Sequence, residues 1–426
     1  MDVQDTVSLW RLCIMLCGCV NVRQSFCSAT GTTLTLEDYV NRPDPTYTYT
    51  EVYRSRGFNH NAYFLNMTSQ KWMDETFSNR PIWWHDMVIS VPTKIIDPSV
   101  AFIYIGSGSN EPESISPSGR EDTAAALRKM SQQMRTVVCH LKQIPNQPIV
   151  FKAVVRAMDT VTDFTGRLTP ALNITRFVIA GLSKHLQRHQ QSLGGWSFAM
   201  YNYYVENITR YLDHPRFELI MDLIDPYSSI RKYTVPTMIV DGTGDQFFLP
   251  DASHIFFNEL PGPKYFQMMP DHDHSLEPMK DVMNAMIGFT IRVITGYGFP
   301  KVSWKLIETA TGGKIELNST GETPQHVRTW FAHTDSHLRR DFRANFGLKA
   351  TESYVDWSKD SVSDQGGGIY VAEFETPTSG WLGFLVEAVY KGPLGNRLTL
   401  TSEVYIIPNT FPFPPCYGEA CFLTLV

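Results

Sequence analysis

Charge is scarce in this 426-residue chain: 19% of its residues are Asp, Glu, Lys or Arg, and the formal balance is −6 at pH 7. No block of Lys and Arg interrupts it, so it lacks the electrostatic footprint that approaches phosphate backbones or anionic lipid, and nucleic acid is not an expected partner. No apolar run reaches the roughly 20 residues needed to cross a bilayer, and no membrane span is expected in the mature chain. The longest run near the start, Leu9 to Val20 (LWRLCIMLCGCV), reads instead as the h-region of a signal peptide over 1–29, cleaved near Ala29. Its MDVQD flank is acidic where a basic one is expected, and a cytosolic leader is the alternative. No G-x-G-x-x-G follows a first strand and no Walker-type loop is present, so no cofactor is expected. Cysteine is sparse as well. Of seven, Cys13, Cys17 and Cys19 lie in the leader and Cys27 near its end, which leaves Cys139, Cys416 and Cys421. Cys416 and Cys421 could close a small disulfide loop or remain two thiols; C-x4-C alone makes no zinc site.

What is present is apolar: 43% of the residues are hydrophobic, enough for two well-packed cores, and the length fits two domains. Alternation over Ala62–Asn66 and Met87–Val91 predicts antiparallel strands. Ser99–Ile105 (SVAFIYI) reads as a buried strand, Arg120–Met134 as a helix with Ala124, Leu127, Met130 and Met134 on one face, and Thr136–Leu141 as a second strand. Lys152–Phe164 has helical spacing, and Arg176–Ala180 (RFVIA) is another buried-strand run ending at Gly181-Leu-Ser-Lys184. Asn202–Leu212 and Phe217–Ile224 read as helices, Thr237–Val240 and Lys264–Met269 as strands, and Met279, Val282, Met283 and Met286 as one helix face. Strands alternating with helices predict the α/β class with a mostly parallel sheet over 30–294. From Lys301 the pattern changes to short alternating segments between turns, predicting an antiparallel β-sandwich over 301–407, followed by a Pro-rich tail, 408–426.

In doubly wound sheets, ligand sites gather where strands end. Ser183 follows RFVIAGL at a strand-to-helix turn, where the helix dipole favours developing negative charge. Asp245, in Asp241-Gly-Thr-Gly-Asp245, is placed to orient an imidazole, and His274 follows the strand KYFQMM. The order Ser, acid, His is that of α/β-hydrolases, with backbone N–H groups at Lys184, Gly106 and Ser107 expected to hold an oxyanion. Each has a plainer reading: Ser183 as a helix cap, Asp245 as a turn residue, His274 as a loop histidine. Asp271, His272, Asp273 and His274 suggest a metal less well, because alternate residues rarely complete a shell. N-x-S/T sequons at Asn66, Asn173, Asn207 and Asn318 fit passage through the secretory pathway.

The segments LEDYVNRPDPTYTY, LKQIPNQPIVF, RAMDTVTDF, FVIAGLSK, GGWSFAMYNYY, VDGTGDQFFLPDASH and GWLGFLVE resemble the PhoPQ-activated pathogenicity-related family, which includes eukaryotic autocrine proliferation repressor proteins, from about Leu36 to Ile406. The resemblance implies an α/β-hydrolase fold with helices on both faces of its sheet, a C-terminal β-sandwich, and a Ser-Asp-His site matching Ser183, Asp245 and His274. A serine hydrolase of peptidase type acting on a peptide or ester is one implied function. A non-catalytic secreted signal restraining proliferation through a cell-surface receptor is the other. The chain departs from the family pattern at Phe151-Lys152 and after Lys184, where a helix and a further sheet strand are absent, as in a splice product or an imperfect gene reading. A nucleophile turn is strained and is held by the helix behind it. Lys184–Ser192 could supply a short helix, but with only Leu186 and Leu193 to bury it should hold Ser183 poorly. Losing the neighbouring strand would leave an unpaired edge beside the Asp245 strand. A family-like fold with a compromised site is therefore expected.

Overall fold

The computed structural model describes residues 43–71, 74–75, 79–106, 117–144, 182–205, 207–215, 217–218, 221, 225–334, 337–344 and 355–426, with two backbone stretches at 26–27 and 33–34. The chain divides into two compact units, Met1–Phe177 and Val178–Val426. No helix among the described residues is long and apolar enough to cross a membrane.

In the first unit, β1 (Phe26–Cys27) and β2 (Thr33–Leu34) form a short antiparallel pair. The main sheet has the order β3-β4-β5-β7-β6. β3 (Thr48–Gly57), β4 (His60–Lys71) and β5 (Ile82–Pro92) are an antiparallel meander, and Asn59 makes the first hairpin turn at a positive φ that Asn tolerates. β6 (Ala101–Ile105), helix α1 (Pro117–Met134) and β7 (Val137–Leu141) follow as the strand-helix-strand unit read from the sequence, with β6 parallel to β7. Leu65, Met67, Met87, Ile89, Val137 and Cys139 bury one sheet face. The helix stripe Ala124, Leu127, Met130 and Met134 is also buried, and hydroxyls of Ser90 on β5 and Ser131 on α1 meet at 2.9 Å.

In the second unit, α2 (Leu182–Leu193) and the short α3 (Tyr201–Val205) precede β8 (Thr237–Gly242) and β9 (Lys264–Met269), a parallel pair, and α4 (Met279–Thr295). Two antiparallel sheets follow. One has β10 (Lys301–Glu308), β11 (Gly312–Thr320), β15 (Ile369–Glu375) and β14 (Ser363–Asp364) in that order. The other runs β13 (Ser358–Asp360), β12 (His326–His333), β16 (Leu382–Lys391), β17 (Arg397–Thr401), with β18 (Tyr405–Ile407) also on β16. Ile315, Leu317 and Ala372 from the first meet Phe384, Val386 and Ile407 from the second in a shared core. A further core joins Phe266 and Met268 of β9 to Leu385 of β16 and Ile406 of β18, and the Met268 amide donates to Thr401 Oγ1 at 2.9 Å. The tail returns to the end of α2: Trp196 donates from its backbone to the Thr424 carbonyl at 2.9 Å and from Nε1 to the Cys421 carbonyl at 2.9 Å. Cys416 and Cys421 are bonded, S–S 2.07 Å.

The expected α/β-hydrolase-like architecture, a mostly parallel sheet with helices on both faces, is corrected by these observations. Among the strands of the described residues only β6–β7 and β8–β9 pair in parallel, the other ladders are antiparallel, and there are four α-helices. The reason lies in the connections. Long strands joined by tight turns, as from Thr48 to Gly57 and back from His60, can pair only antiparallel, whereas parallel pairing needs a crossover. The helix and strand predicted over Lys152–Phe164 and Arg176–Ala180 lie outside the described residues. Asn202–Leu212, predicted as one helix, is α3 followed by a 3₁₀ turn over Ile208–Tyr211.

Gly288 lets α4 lie directly on β17, since a Cβ there would stand 2.2 Å from the Arg397 carbonyl oxygen. In an exposed helix, Gly→Ala stabilises by about 1 kcal/mol; here the added methyl meets backbone. Gly288→Ala is expected to destabilise the second unit by about 1–3 kcal/mol, read as a lower urea midpoint at unchanged slope.

Candidate functional site

The loops that leave β8 and β9 cross at their carboxyl ends. The Gly244 amide donates to the His272 carbonyl at 2.9 Å, and Thr243 Oγ1 accepts the Asp271 amide at 3.0 Å. Gly242 is required at this crossing, because a Cβ on it would sit 2.3 Å from the His272 carbonyl oxygen. The crossing carries Asp245 and His274 toward each other. His274 Nδ1 lies 2.9 Å from both carboxylate oxygens of Asp245. Asp245 Oδ1 also accepts the amides of Phe247 and Phe248 at 2.6 and 3.0 Å, so the carboxylate is fixed by its own loop. The Asp245 side chain is 1% exposed and that of His274 32%, which leaves the imidazole reachable from solvent while its partner is not. With Nδ1–H donated to the carboxylate, the neutral ring keeps its lone pair on Nε2, the tautomer of a general base. Phe247 packs on the ring at 4.6 Å between centroids, and Gln246 Oε1 accepts the His274 amide at 3.1 Å.

Helix α2 docks on the same loop through polar groups. His185 Nε2 donates to the Phe247 carbonyl at 2.6 Å. His189 Nε2 accepts the Ser197 amide at 3.2 Å, which requires a neutral ring with its proton on Nδ1, facing the Phe247 carbonyl at 3.4 Å. Burial holds the pKa of His185 down and that of His189 further down. Asp251 closes the loop: Arg188 Nη2 and Arg340 Nη2 each lie 2.6 Å from its Oδ2. Burial opposes ionisation of Asp251, but Arg340 and Arg188 outweigh it and hold the carboxyl well below the usual carboxylate range. The helix buries Leu186 and Leu193, and the bonds of the buried His185 and His189 hold it to the loop as well.

The other predicted residues are placed as follows. Ser183 is the second residue of α2, and its side chain lies outside what is described. Lys184 Nζ donates to the Tyr227 hydroxyl at 3.2 Å. Gly106, in the other unit, donates its amide to the Leu141 carbonyl at 2.8 Å, so that N–H is committed to the sheet rather than presented to an oxyanion; Ser107 lies outside the described residues. The residues weighed as metal ligands are separately engaged. His272 Nδ1 faces the Pro270 carbonyl at 2.8 Å, Asp271 Oδ1 accepts the Trp357 amide at 2.8 Å, and Asp273 Oδ1 accepts from Ser275. Asn207 and Asn318 are exposed, Asn66 is half-buried on β4, and Asn173 lies outside the described residues. Sequence reasoning passed over Asp251, His185, His189 and Arg340; of these only Asp251 lies in a segment it singled out, VDGTGDQFFLPDASH.

Asp251→Asn removes the charge shared by two arginines and is expected to cost about 3–5 kcal/mol, measurable by urea denaturation. The two buried histidines also give the stability a pH dependence. Burial holds their folded pKa values below the ordinary histidine value of about 6.5, so as the pH falls the unfolded state takes up more protons and stability falls. The denaturation midpoint should drop between about pH 7.5 and about pH 5.5, and drop less in His189→Asn.

Comparison with known proteins follows the same segments. The family described as PhoPQ-activated pathogenicity-related protein matches residues 36–154 and 184–343, with Asp245 and His274 inside the second stretch and Ser183 just before it. A curated relative, "Autocrine proliferation repressor protein A" of Dictyostelium discoideum, is 30% identical over 461 residues, covering 89% of this chain and 92% of its own length. That alignment is longer than the 426 residues here, so the relative carries residues with no counterpart in this chain. By the extent of both matches, the chain belongs to the PhoPQ-activated pathogenicity-related protein family.

Proposed function

We propose that this chain is a secreted serine hydrolase of peptidase type, in which Ser183 is the nucleophile, His274 the general base and Asp245 the group that orients it. The observation that carries the reading is the Asp245–His274 pair, with Nδ1 on a buried carboxylate and a half-buried ring. Ser183 Oγ would attack an acyl carbon of a peptide or ester as His274 Nε2 takes its proton, and the same proton would pass to the leaving group as the acyl-enzyme forms. Asp245 stabilises the imidazolium formed between the two transfers. The N-terminus of α2, which carries Ser183 and Lys184, supplies N–H groups not used within the helix, of the kind that stabilise an oxyanion. Secretion is supported by the Leu9–Val20 run, the exposed sequons at Asn207 and Asn318, and the Cys416–Cys421 bond, which suits an oxidising compartment.

A second reading rests on the relative, whose name describes an autocrine repressor of proliferation and whose match runs through 92% of its length. On that reading the chain acts on a cell-surface receptor without catalysis.

Labelling of the folded protein, purified from culture medium, with a fluorophosphonate probe separates the two. Hydrolase chemistry predicts labelling that is lost in Ser183→Ala and slowed by about three to four orders of magnitude in Asp245→Asn. Absence of labelling from a monodisperse sample, with undiminished growth repression by Ser183→Ala, would sink the catalytic reading.

A further inference from the structure

Away from the Asp245–His274 pair, the second unit has a cleft along β10. One part, about 390 Å³, is lined by Phe257, Lys264, Trp304 and Glu403 among others; a second, about 270 Å³, continues past His254 and Leu306 to Glu308, Arg340 and Tyr405. The two parts lie along one strand, the first reaching Val302 to Leu306 and the second Leu306 to Glu308. Among the described residues β10 is the terminal strand of its sheet and pairs only with β11. Every second amide and carbonyl of β10 therefore faces the open side of the strand, and among the described residues no backbone bond engages them. A linear cleft beside an open strand edge suits an extended main chain better than a compact molecule.

The side chains specify more. Glu403 is 3% exposed; its Oε2 accepts Trp304 Nε1–H at 3.0 Å, while Oε1 has no hydrogen-bond partner. No salt bridge to it is found among the described residues; Lys264 lines the same space and feels the Glu403 charge, but its Nζ is hydrogen-bonded elsewhere. Lys264 donates Nζ to the carbonyls of Asn258 and Leu260 at 2.9 and 3.1 Å, over the ring of Phe257. A buried carboxylate with one unmatched oxygen is costly as it stands, and a cationic hydrogen-bond donor would relieve it. Rotation about the terminal bond of Glu is soft, so either oxygen can meet a ligand while the other keeps the indole. Trp304 stacks on Phe257, centroids 5.4 Å apart, and this aromatic wall suits the aliphatic stem and cation of a lysine or arginine.

We propose that the cleft is a peptide-docking site: an extended segment of a partner adds to the open edge of β10 and seats a Lys or Arg between Trp304 and Glu403.

The test is an array of acetylated, amidated heptapeptides, randomised in sequence, probed with the full-length labelled protein and with Glu403→Gln. Selection for Lys or Arg at one position is expected, weakened about tenfold or more in Glu403→Gln, in which Gln can still accept the Trp304 indole. N-methylation of alternate amides in the selected peptides should abolish their binding, since a strand addition needs those donors. Absence of Lys or Arg selection by the folded protein, selection that survives Glu403→Gln, or binding indifferent to N-methylation would each overturn the proposal.

Discussion

The carboxylate of Asp251 sits where three parts of the second unit converge: the end of the loop after β8, helix α2 through Arg188, and the segment before Ala344 through Arg340. A buried charge of this kind is tolerable only when its partners are close and well aimed, and both arginine nitrogens stand at 2.6 Å. Because the loop from Gly242 to Asp251 is held at this end and pinned under His272 at the other, its middle has little freedom. That middle is where Asp245 gathers its own loop amides and presents two oxygens to His274. The geometry of the imidazole thus derives from an ion cluster that touches no part of it.

Much of the local structure was legible in the sequence. The apolar stripe of α1, the flanking strands β6 and β7, and strands β8 and β9 follow from periodicity, since a 3.6-residue repeat and a short apolar run between turns admit few readings. Sheet assembly was not legible. Alternation of strands and helices suggested one parallel sheet, but a strand's partner is set by the length of its connections and by contacts far along the chain, which periodicity does not encode. The change near Lys301 was visible because two-residue alternation between turns is specific to strands packed on one face.

Within the site, the residues that stand directly after strands could be picked out, and Asp245 and His274 do meet. The residues that hold them could not. His185 and His189 lie on a helix that looks solvated by composition, and their burial becomes intelligible only once the Phe247 carbonyl and the Ser197 amide are seen to need partners. Polar residues that bury themselves by satisfying backbone groups leave no hydrophobic signature, so hydropathy reads such a helix as surface.

The return of the tail to Trp196 has a consequence in time. Trp196 Nε1 and the Cys421 carbonyl are 225 residues apart in sequence, and Ser197, the next residue, supports both His189 and the Gln246 carbonyl. During synthesis, the turn at the end of α2 is made early and waits for the segment from Cys421 to Thr424 before its amide and indole find their acceptors. A chain without that segment would leave the Trp196 amide and indole without these two acceptors. The Trp196 indole therefore lacks its acceptor until 225 further residues have been made.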